Sequence, residues 1–328
     1  MEYFKVIDDR TIMCMLCNHH CKIKEGKTGM CGVNANKQNQ LETLVYGHPA
    51  SIAVDPIEKK PIYHMLPASK ALSFGTVGCN FRCPFCQNWE ISQEREIDES
   101  RYVSPQEIVE VALDNGCESI AYTYNEPTIF YPYARDVALK AHEKGLKNIY
   151  VSNGFESTEV IDDMPGIIDA VNIDLKSFNA DYYKRTLKGD LDEILEGLKR
   201  FKKNGIWVEV TTLIVPGDND SLEELSNIAN FIANELDIYT PWHISAFHPD
   251  YKVLDKERTP LATLERAMKI GEEAGLKYIY KGNISAKANT YCPECHELLL
   301  QRRGFAVSVN KLKKGHCPKC DYAVEGIW

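Results

Sequence analysis

The chain has 328 residues, with a formal net charge of −9, 26% charged residues and 44% hydrophobic residues. This composition is that of an ordinary globular protein, and the acidic balance argues against nucleic acid as a partner. The sequence begins without an apolar segment of signal-peptide length, and no run approaches the ~20 apolar residues that span a bilayer. We therefore expect a cytoplasmic protein without membrane partners.

Twelve cysteines occur, and eleven of them fall into three groups separated by long stretches without cysteine. In a cytosolic chain of this length, such grouping indicates metal binding and not a disulfide framework. The first group lies in residues 1–70, which we expect to form a small lobe. Four thiolates can make a closed site, and here the spacing leaves open a zinc ion or an auxiliary iron–sulfur cluster. This N-terminal cysteine group consists of Cys14, Cys17, Cys21 and Cys31.

Between residues 71 and 285, short β-rich runs alternate with amphipathic helical runs. Ser104 and Glu107 are typical of a helix start with a capping box, and Ser221 and Glu224 repeat the pattern. Six successive strand–helix units predict an α/β fold whose parallel sheet is either open and doubly wound or a barrel. The predicted strands are 71–77, 119–124, 148–153, 170–176, 207–215 and 242–247.

The second cysteine group follows the first of these strands, in a loop that we term the three-cysteine loop, residues 78–86. Cys79, Cys83 and Cys86 have the spacing C-x3-C-x2-C. Three thiolates can hold three irons of a [4Fe–4S] cluster and leave the fourth iron open to another ligand. The alternative is a zinc knuckle completed from elsewhere, although the spacing is not that of paired C-x2-C knuckles.

Polar residues also stand at the carboxyl ends of several predicted strands. In both architectures this edge of the sheet is where ligands bind. One such residue would be ordinary turn chemistry, but polar residues after four strands indicate a single site. The candidates are Asn125, Glu126, Ser152, Asn153, Asp174, Lys176 and His248.

The third cysteine group lies in residues 286–328, which we expect to form a C-terminal lobe. It contains two C-P-x-C knuckles separated by twenty-one residues, a spacing typical of a zinc ribbon, with RRGFAVSVNKL as the hairpin between them. Zinc is the expected metal, although an auxiliary cluster also takes four cysteines. Because the lobe lies outside the six-unit repeat, its deletion is predicted to leave the barrel and the three-cysteine site largely intact and to impair stability or use of the substrate. This C-terminal cysteine group consists of Cys292, Cys295, Cys317 and Cys320.

The sequence GCNFRCPFC of the three-cysteine loop resembles the defining motif of the radical S-adenosylmethionine (SAM) superfamily, in which an aromatic residue, here Phe85, precedes the third cysteine. DPIEKKPIYHMLP at 55–67, CQNWEISQ at 86–93 and TYNEPTIF at 123–130 are similar to the radical enzyme of the AmmeMemoRadiSam system, a relative of the activating enzymes of glycyl-radical enzymes such as pyruvate formate-lyase. The resemblance covers nearly the whole chain. It implies a partial (β/α)6 barrel with small metal-bound N-terminal and C-terminal lobes.

The resemblance further implies that the open iron chelates the amino and carboxylate groups of SAM. An electron from the reduced cluster then cleaves SAM to methionine and a 5′-deoxyadenosyl radical, which takes hydrogen from a protein, peptide or small-molecule substrate. The implied partners are an electron donor such as ferredoxin or flavodoxin and, for some relatives, a protein substrate. The rival hypothesis is a non-catalytic iron–sulfur and zinc protein for electron transfer or scaffolding.

One part of the resemblance concerns the amino group of SAM. Activating enzymes carry a Gly-Gly-Glu-Pro stretch that receives this group, and the matching residues here are Tyr124, Asn125, Glu126 and Pro127. The glutamate matches and implies a carboxylate acceptor. The two glycines do not match, so the close backbone approach that glycine permits is not expected.

Other site residues are implied at later strand ends. Ser152 matches a serine or threonine near the cofactor. Asp174 and Lys176 match an Asp-Leu-Lys motif whose lysine pairs with the SAM carboxylate, and their spacing puts both side chains on one face of the strand. His248 matches a histidine that contacts the ribose, with His243 as a nearby rival.

Overall fold

The structure, a computed structural model, describes residues 3–328. The chain begins with five short strands in two small antiparallel sheets, which carry the N-terminal cysteine group. The first sheet contains three strands and the second contains two. They are β1 (Phe4–Asp8), β2 (Thr11–Cys14), β3 (Lys22–Lys24), β4 (Asn34–Lys37) and β5 (Gln40–Thr43).

The centre of the molecule is an eight-stranded sheet whose strands lie side by side in chain order. The first strand is antiparallel to the second, and all later neighbours are parallel. Within residues 3–328 no pairing joins the first strand to the last, so the barrel is incomplete. The strands are β6 (Ser51–Pro56), β7 (Lys70–Gly75), β8 (Ser119–Tyr122), β9 (Lys147–Ser152), β10 (Ala170–Asp174), β11 (Trp207–Ile214), β12 (Trp242–Ala246) and β13 (Ile279–Gly282).

The predicted fold class is confirmed, because the six predicted strands correspond to β7 through β12. The sequence analysis missed β6 and β13, which add one strand at each edge of the sheet. Strand β6 lies within the predicted N-terminal lobe, yet it pairs along its whole length with β7. Strand β6 is short, and its residues are mostly half-buried or exposed, so the sequence contains no apolar run that would have indicated it.

Helices connect the strands, and one predicted cap needs correction. The capping box at Ser104 and Glu107 is complete. At Ser221 only half of the capping box forms, because the Ser221 hydroxyl accepts from Glu224 N at 3.1 Å. The Glu224 carboxylate accepts from Phe178 N at 2.8 Å and not from the backbone N–H of Ser221. The helices are α1 (Trp89–Ser92), α2 (Pro105–Asp114), α3 (Tyr131–Glu143), α4 (Thr158–Asp163), α5 (Ala180–Tyr182), α6 (Leu191–Lys203), α7 (Leu222–Phe231) and α8 (Leu261–Glu273).

The C-terminal lobe has an antiparallel sheet of three strands, which confirms the predicted hairpin. Within residues 3–328 no helix is both long and apolar enough to cross a membrane. The strands of the lobe are β14 (Thr290–Tyr291), β15 (Leu298–Arg303) and β16 (Ala306–Asn310).

The lobe closes the amino-terminal end of the barrel, which we term the barrel floor. The fully buried Arg302 donates to Tyr63 O at 2.6 Å, and Ile327 N donates to His64 O at 2.7 Å. The Glu209 carboxylate, inside the barrel, accepts from His64 N at 2.8 Å and from His243 Nε2 at 2.6 Å. The lobe is therefore bonded to the barrel through a buried polar network.

Candidate functional site

A cavity opens at the carboxyl edge of the central sheet, opposite the barrel floor. Parallel strands bring their carboxyl ends to one edge, so residues far apart in the chain meet there. Nine of the predicted site residues line this cavity. They are Cys79, Cys83, Phe85, Cys86, Asn125, Ser152, Asn153, Asp174 and Lys176.

The three-cysteine loop starts with a glycine that the structure requires. Gly78 has a φ of +92°, and a Cβ there would lie 2.9 Å from Val33 Cγ1 and 3.0 Å from Cys31 O. Phe81 N donates to Cys79 Sγ at 3.4 Å, and Cys86 Sγ lies 3.2 Å from the Ser92 hydroxyl. Polar groups of the chain thus already contact two of the three sulfurs, and contacts of this kind stabilise thiolate ligands.

The sulfurs of the three-cysteine loop do not converge on one point as the ligands of a single ion do. Within residues 3–328, three or more potential metal-ligand atoms lie within 4.8 Å of one another only in the C-terminal cysteine group. The sulfurs of the three-cysteine loop share a cavity without converging in this way. Burial raises the pKa of Cys83 to about 12, although Lys176 lowers it, so that a thiolate here needs a positive partner. These observations fit a [4Fe–4S] cluster, whose thiolates bind different irons.

Lys176 and Asp174 form an ion pair in the same cavity, with Lys176 Nζ 2.6 Å from Asp174 Oδ2. Although burial opposes a charge on Lys176, the charges of Asp174 and Cys83 raise the pKa of this lysine above its ordinary value. Tyr183 helps to fix the turn, because its hydroxyl accepts from Lys176 N at 2.9 Å. The pair presents one positive and one negative group, which is what the carboxylate and ammonium of an amino acid require.

Glu126 does not line the cavity. Its carboxylate is fully buried and accepts from Thr128 N at 3.0 Å, from the Ser152 hydroxyl at 2.8 Å and from Asn153 N at 2.8 Å. Those bonds hold together the ends of β8 and β9. The role of Glu126 as acceptor for an ammonium group stays a prediction. Its neighbour Asn125 and its hydrogen-bond partner Ser152 line the cavity instead.

His248 does not line the cavity either. It is exposed, and its Nε2 lies 3.0 Å from the side-chain nitrogen of Gln87, which does line it. The rival His243 lies on the barrel floor, bonded to Glu209. The structure therefore removes His243 from the site, while the contact of His248 with a ribose stays a prediction.

The sequence analysis missed Tyr124 as a residue of the site. It lies in the left-handed region, with φ +74°, where the related motif has glycine. Its hydroxyl donates to Asp55 Oδ2 at 2.9 Å, and Lys60 Nζ donates to the same oxygen at 2.6 Å. Pro61 follows and lines the cavity. The mismatch with glycine, and the motif at 55–67, were the signals that could have indicated this contact.

Glu156 was missed as well. The Ser152 hydroxyl lies within hydrogen-bond distance of both Glu126 and Glu156, so three polar side chains are buried together behind the cavity. Burial, and then the charge of Glu126, raise the pKa of Glu156 to about 8. Glu156 therefore takes up a proton at a higher pH than an ordinary glutamate does. Nothing in the sequence NGFES distinguishes this glutamate from an ordinary turn residue.

The C-terminal cysteine group is assembled for one metal ion. Cys292 Sγ lies 3.6 Å from Cys320 Sγ, and Cys295 Sγ lies 3.6 Å from Cys317 Sγ. A tetrahedral site with zinc–sulfur bonds of 2.3 Å separates its sulfurs by about 3.8 Å. The four thiols can therefore bind a metal without large movement.

The N-terminal cysteine group is also close together, although less tightly. Cys14, Cys17 and Cys31 are buried, and Cys21 is half-buried. Burial raises the pKa of Cys17 well above its usual range, and Cys14, Cys31 and Cys21 raise it further. The four thiols thus influence one another, but no three of their sulfurs lie within 4.8 Å of one another.

The fold and this cavity define a class of α/β proteins with an incomplete parallel barrel and a three-cysteine loop after its first parallel strand. Comparison with known families agrees: the model of the Radical SAM superfamily matches residues 74–232. An uncharacterized protein of Methanocaldococcus jannaschii is 45% identical over 94% of this chain and 93% of its own length. A second protein of that organism, provisionally named a glycyl-radical enzyme activating enzyme, is 31% identical over 52% of this chain and 70% of its own length. The chain belongs to the radical SAM superfamily.

Solved structures support the fold. Streptococcus suis SuiB bound to S-adenosylmethionine has a TM-score of 0.53 at 14% identity, over 69% of this chain and 53% of SuiB. A radical SAM methyltransferase from Sphaerobacter thermophilus has a TM-score of 0.52 at 16% identity, over 71% of each chain. At these identities the likeness concerns the architecture of the barrel and not the substrate.

Proposed function

We propose that this chain is a radical SAM enzyme similar to the activating enzymes of glycyl-radical enzymes. It binds a [4Fe–4S] cluster through Cys79, Cys83 and Cys86 and takes hydrogen from a protein, peptide or small-molecule substrate. The observation that carries the proposal is the cavity in which these cysteines face the Asp174–Lys176 pair. When bound, the reduced cluster and SAM supply the 5′-deoxyadenosyl radical.

The residues of the chain bind and orient the cofactor. Lys176 would attract the carboxylate of SAM, and Asp174 its ammonium group, each as a charge-assisted contact. Asn125 holds the three-cysteine loop against the end of β8, because its amide donates to Gly78 O at 2.8 Å. The hydrogen bond to Asp55 fixes the Tyr124 side chain, which forms part of the cavity wall and limits the room for a substrate.

One observation favours a protein or peptide substrate over a small molecule. It is the name of the relative that is 31% identical, since an activating enzyme acts on another enzyme. The acidic composition argues only against RNA, because it offers no basic stripe. A one-electron donor such as ferredoxin or flavodoxin completes the proposed partners. A non-catalytic scaffold is not favoured, because it needs no ion pair facing the cysteines.

The domain organisation belongs to the same proposal. Residues 1–70 contain the N-terminal metal-bound lobe and also β6, the edge strand of the central sheet. Residues 71–285 form the rest of the barrel, and residues 286–328 form the C-terminal metal-bound lobe. The C-terminal cysteine group takes structural zinc, which its sulfur spacing suits. Such a site has no redox chemistry and contributes to folding by metal binding.

The experiment is an anaerobic assay of 5′-deoxyadenosine formed from SAM with dithionite as reductant. The native protein should form it, and Cys83→Ala should reduce the yield at least 100-fold. Cys117→Ala is the matched control, because Cys117 is a solitary buried thiol outside the three groups. Equal yields from Cys83→Ala and the native protein would refute the proposal.

A further inference from the structure

The guanidinium of Arg82, in the three-cysteine loop, is hydrogen-bonded to uncharged carbonyl oxygens. It donates to Cys79 O at 2.8 Å, to Phe81 O at 2.8 Å and to Met30 O at 2.6 Å. Arg82 and Arg95 are absent from the arginines of residues 3–328 that pair with a carboxylate within 4.0 Å. Those that do pair are Arg135, Arg185, Arg200 and Arg302.

Arg95 holds a second positive charge on the same side of the loop. Its guanidinium donates to Ser92 O at 3.1 Å and to Glu94 O at 2.6 Å. The hydroxyl of Ser92 in turn lies 3.2 Å from Cys86 Sγ. A Cβ on Gly32 of the N-terminal lobe would overlap the Arg95 side chain, so this glycine leaves room for it. Arg95 therefore lies between the N-terminal lobe and the three-cysteine loop.

The two arginines and the cysteines act on one another through their charges. Burial and the charge of Arg82 lower the pKa of Arg95, whereas negative charge on Cys31 and Cys79 raises it. An arginine nevertheless keeps its charge in a protein. The lysine of the cavity differs from both arginines, because an aspartate balances its charge. Two positive charges that no bonded carboxylate balances thus lie beside the cysteines.

A positive charge beside a redox site favours the reduced state, because reduction adds one negative charge to the site. Net charge is one of the factors that set the reduction potential of an iron–sulfur site. Both arginines are half-buried, so salt screens them less than it screens fully exposed side chains. Their bonds to carbonyl oxygens hold the two side chains in place without cancelling their charge.

We propose that Arg82 and Arg95 are positioning residues that raise the reduction potential of the site at Cys79, Cys83 and Cys86. The inference rests on the proposed function, because it takes a [4Fe–4S] cluster to be bound at these cysteines. The one-electron protein donor is oxidised as the site accepts its electron, and the two positive charges make this transfer more favourable. Neither arginine lines the cavity, so both act through their charge and not through contact with the substrate.

The test is a redox titration of the reconstituted full chain, followed by EPR without air. The signal of the three-cysteine loop is the one missing from a variant in which Cys79, Cys83 and Cys86 are all replaced by alanine. In Arg82→Gln the ratio of reduced to oxidised site at a fixed potential should fall at least threefold, a shift of about 28 mV or more for one electron. Arg82→Lys keeps the positive charge and should stay within threefold of the native ratio.

The matched control is Arg185→Gln, which removes a charge from the segment that accepts a hydrogen bond from Arg82 N. Arg185 is exposed and lies 3.4 Å from Asp181, so its variant should change the ratio less than threefold. A change below threefold in Arg82→Gln would overturn the inference. A change in Arg82→Lys or Arg185→Gln as large as that in Arg82→Gln would overturn it too, since the charge at this position would then not be the cause.

Two further results keep the inference separate from folding and from the proposed function. If Arg82→Gln does not fold, Arg95→Gln takes its place with the same threefold expectation. A native chain without the EPR signal of the three-cysteine loop would refute the proposed function together with this inference. A native signal whose potential is the same in the arginine variants would refute this inference alone.

Discussion

Lys176 Nζ lies 2.6 Å from Asp174 Oδ2, on the wall of the cavity that the three cysteines share. The lysine side chain is 14% exposed and the aspartate side chain 36%, so the negative partner is the more accessible one. An incoming amino acid moiety can therefore meet Asp174 first with its ammonium group. Its carboxylate then meets a lysine whose charge is already balanced and held in place.

The first prediction follows from this pair. Lys176→Ala should weaken SAM binding at least tenfold, because a hydrogen bond to a charged group contributes about 1.5–3 kcal/mol. Asp174→Asn should have an effect of similar size, and the iron content should not change in either variant. Lys256→Ala is the matched control, since Lys256 pairs with Asp218 away from the cavity lining. Equilibrium binding of SAM to the reconstituted protein measures the effect. If both site variants bind SAM with the native affinity, the SAM site does not include the residues at the end of β10.

The second prediction concerns the backbone of Tyr124. Tyr124→Ala and Tyr124→Gly both remove the ring and its bond to Asp55, but only glycine adopts a φ of +74° without strain. Tyr124→Gly should therefore be more stable than Tyr124→Ala by about 1 kcal/mol. Denaturant unfolding of both variants gives the difference, and equal stabilities would show that the left-handed conformation carries no penalty here.

The third prediction is a pH dependence. Glu156 has a pKa near 8 in the folded chain and an ordinary value of 4.5 when unfolded, so the fold favours its protonated form. The stability that this group contributes is fully present below pH 4.5. It is lost as the pH rises towards 8, with a slope of at most about 1.4 kcal/mol per pH unit. Glu156→Gln should remove this loss, so the native chain should lose stability relative to the variant between pH 5 and pH 8.

The control for this titration is a glutamate that has no raised pKa. Glu107→Gln serves, because hydrogen bonds from the backbone N–H and the hydroxyl of Ser104 lower the pKa of Glu107 below its ordinary value. The stability from Glu107 is present above pH 4.5 and is lost only as the pH falls below that value. Between pH 5 and pH 8 its variant should therefore differ from the native chain by a constant amount. A constant difference for Glu156→Gln as well would contradict the raised pKa of Glu156.

The fourth prediction concerns the stability that the C-terminal lobe contributes to the chain. Deletion of residues 286–328 removes Arg302, whose guanidinium donates to Tyr63 O and lies 3.7 Å from the Glu58 carboxylate. The side chains of Arg302 and Glu58 are both fully buried. Removing one partner of a buried pair costs about 3–5 kcal/mol, so the shortened chain should fold poorly. Arg302→Met in the full chain should show a loss of the same order in thermal unfolding. Arg303→Met is the control, since Arg303 is exposed; native stability of the shortened chain would show that the floor network is dispensable.

Local spacing was enough to predict several features of this protein. Cys79, Cys83 and Cys86 lie within one loop, so their separation in the chain limits their separation in space. The same holds for the C-P-x-C knuckles around Cys292 and Cys317. Alternation of apolar strands and amphipathic helices predicted β7 through β12, because each element shows its own period and its own caps.

The rest depended on contacts between distant segments. Glu126 and Glu156 meet through Ser152 only because β8 and β9 are neighbours in the sheet. Arg302 bonds Tyr63, which is far from it in the sequence, because the C-terminal lobe folds back under the barrel. Sequence by itself determined the ligand types, their local spacing and the class of fold. Tertiary structure decided which carboxylates face the cavity and which are buried behind it, because burial and charge pairing depend on packing that no local pattern records.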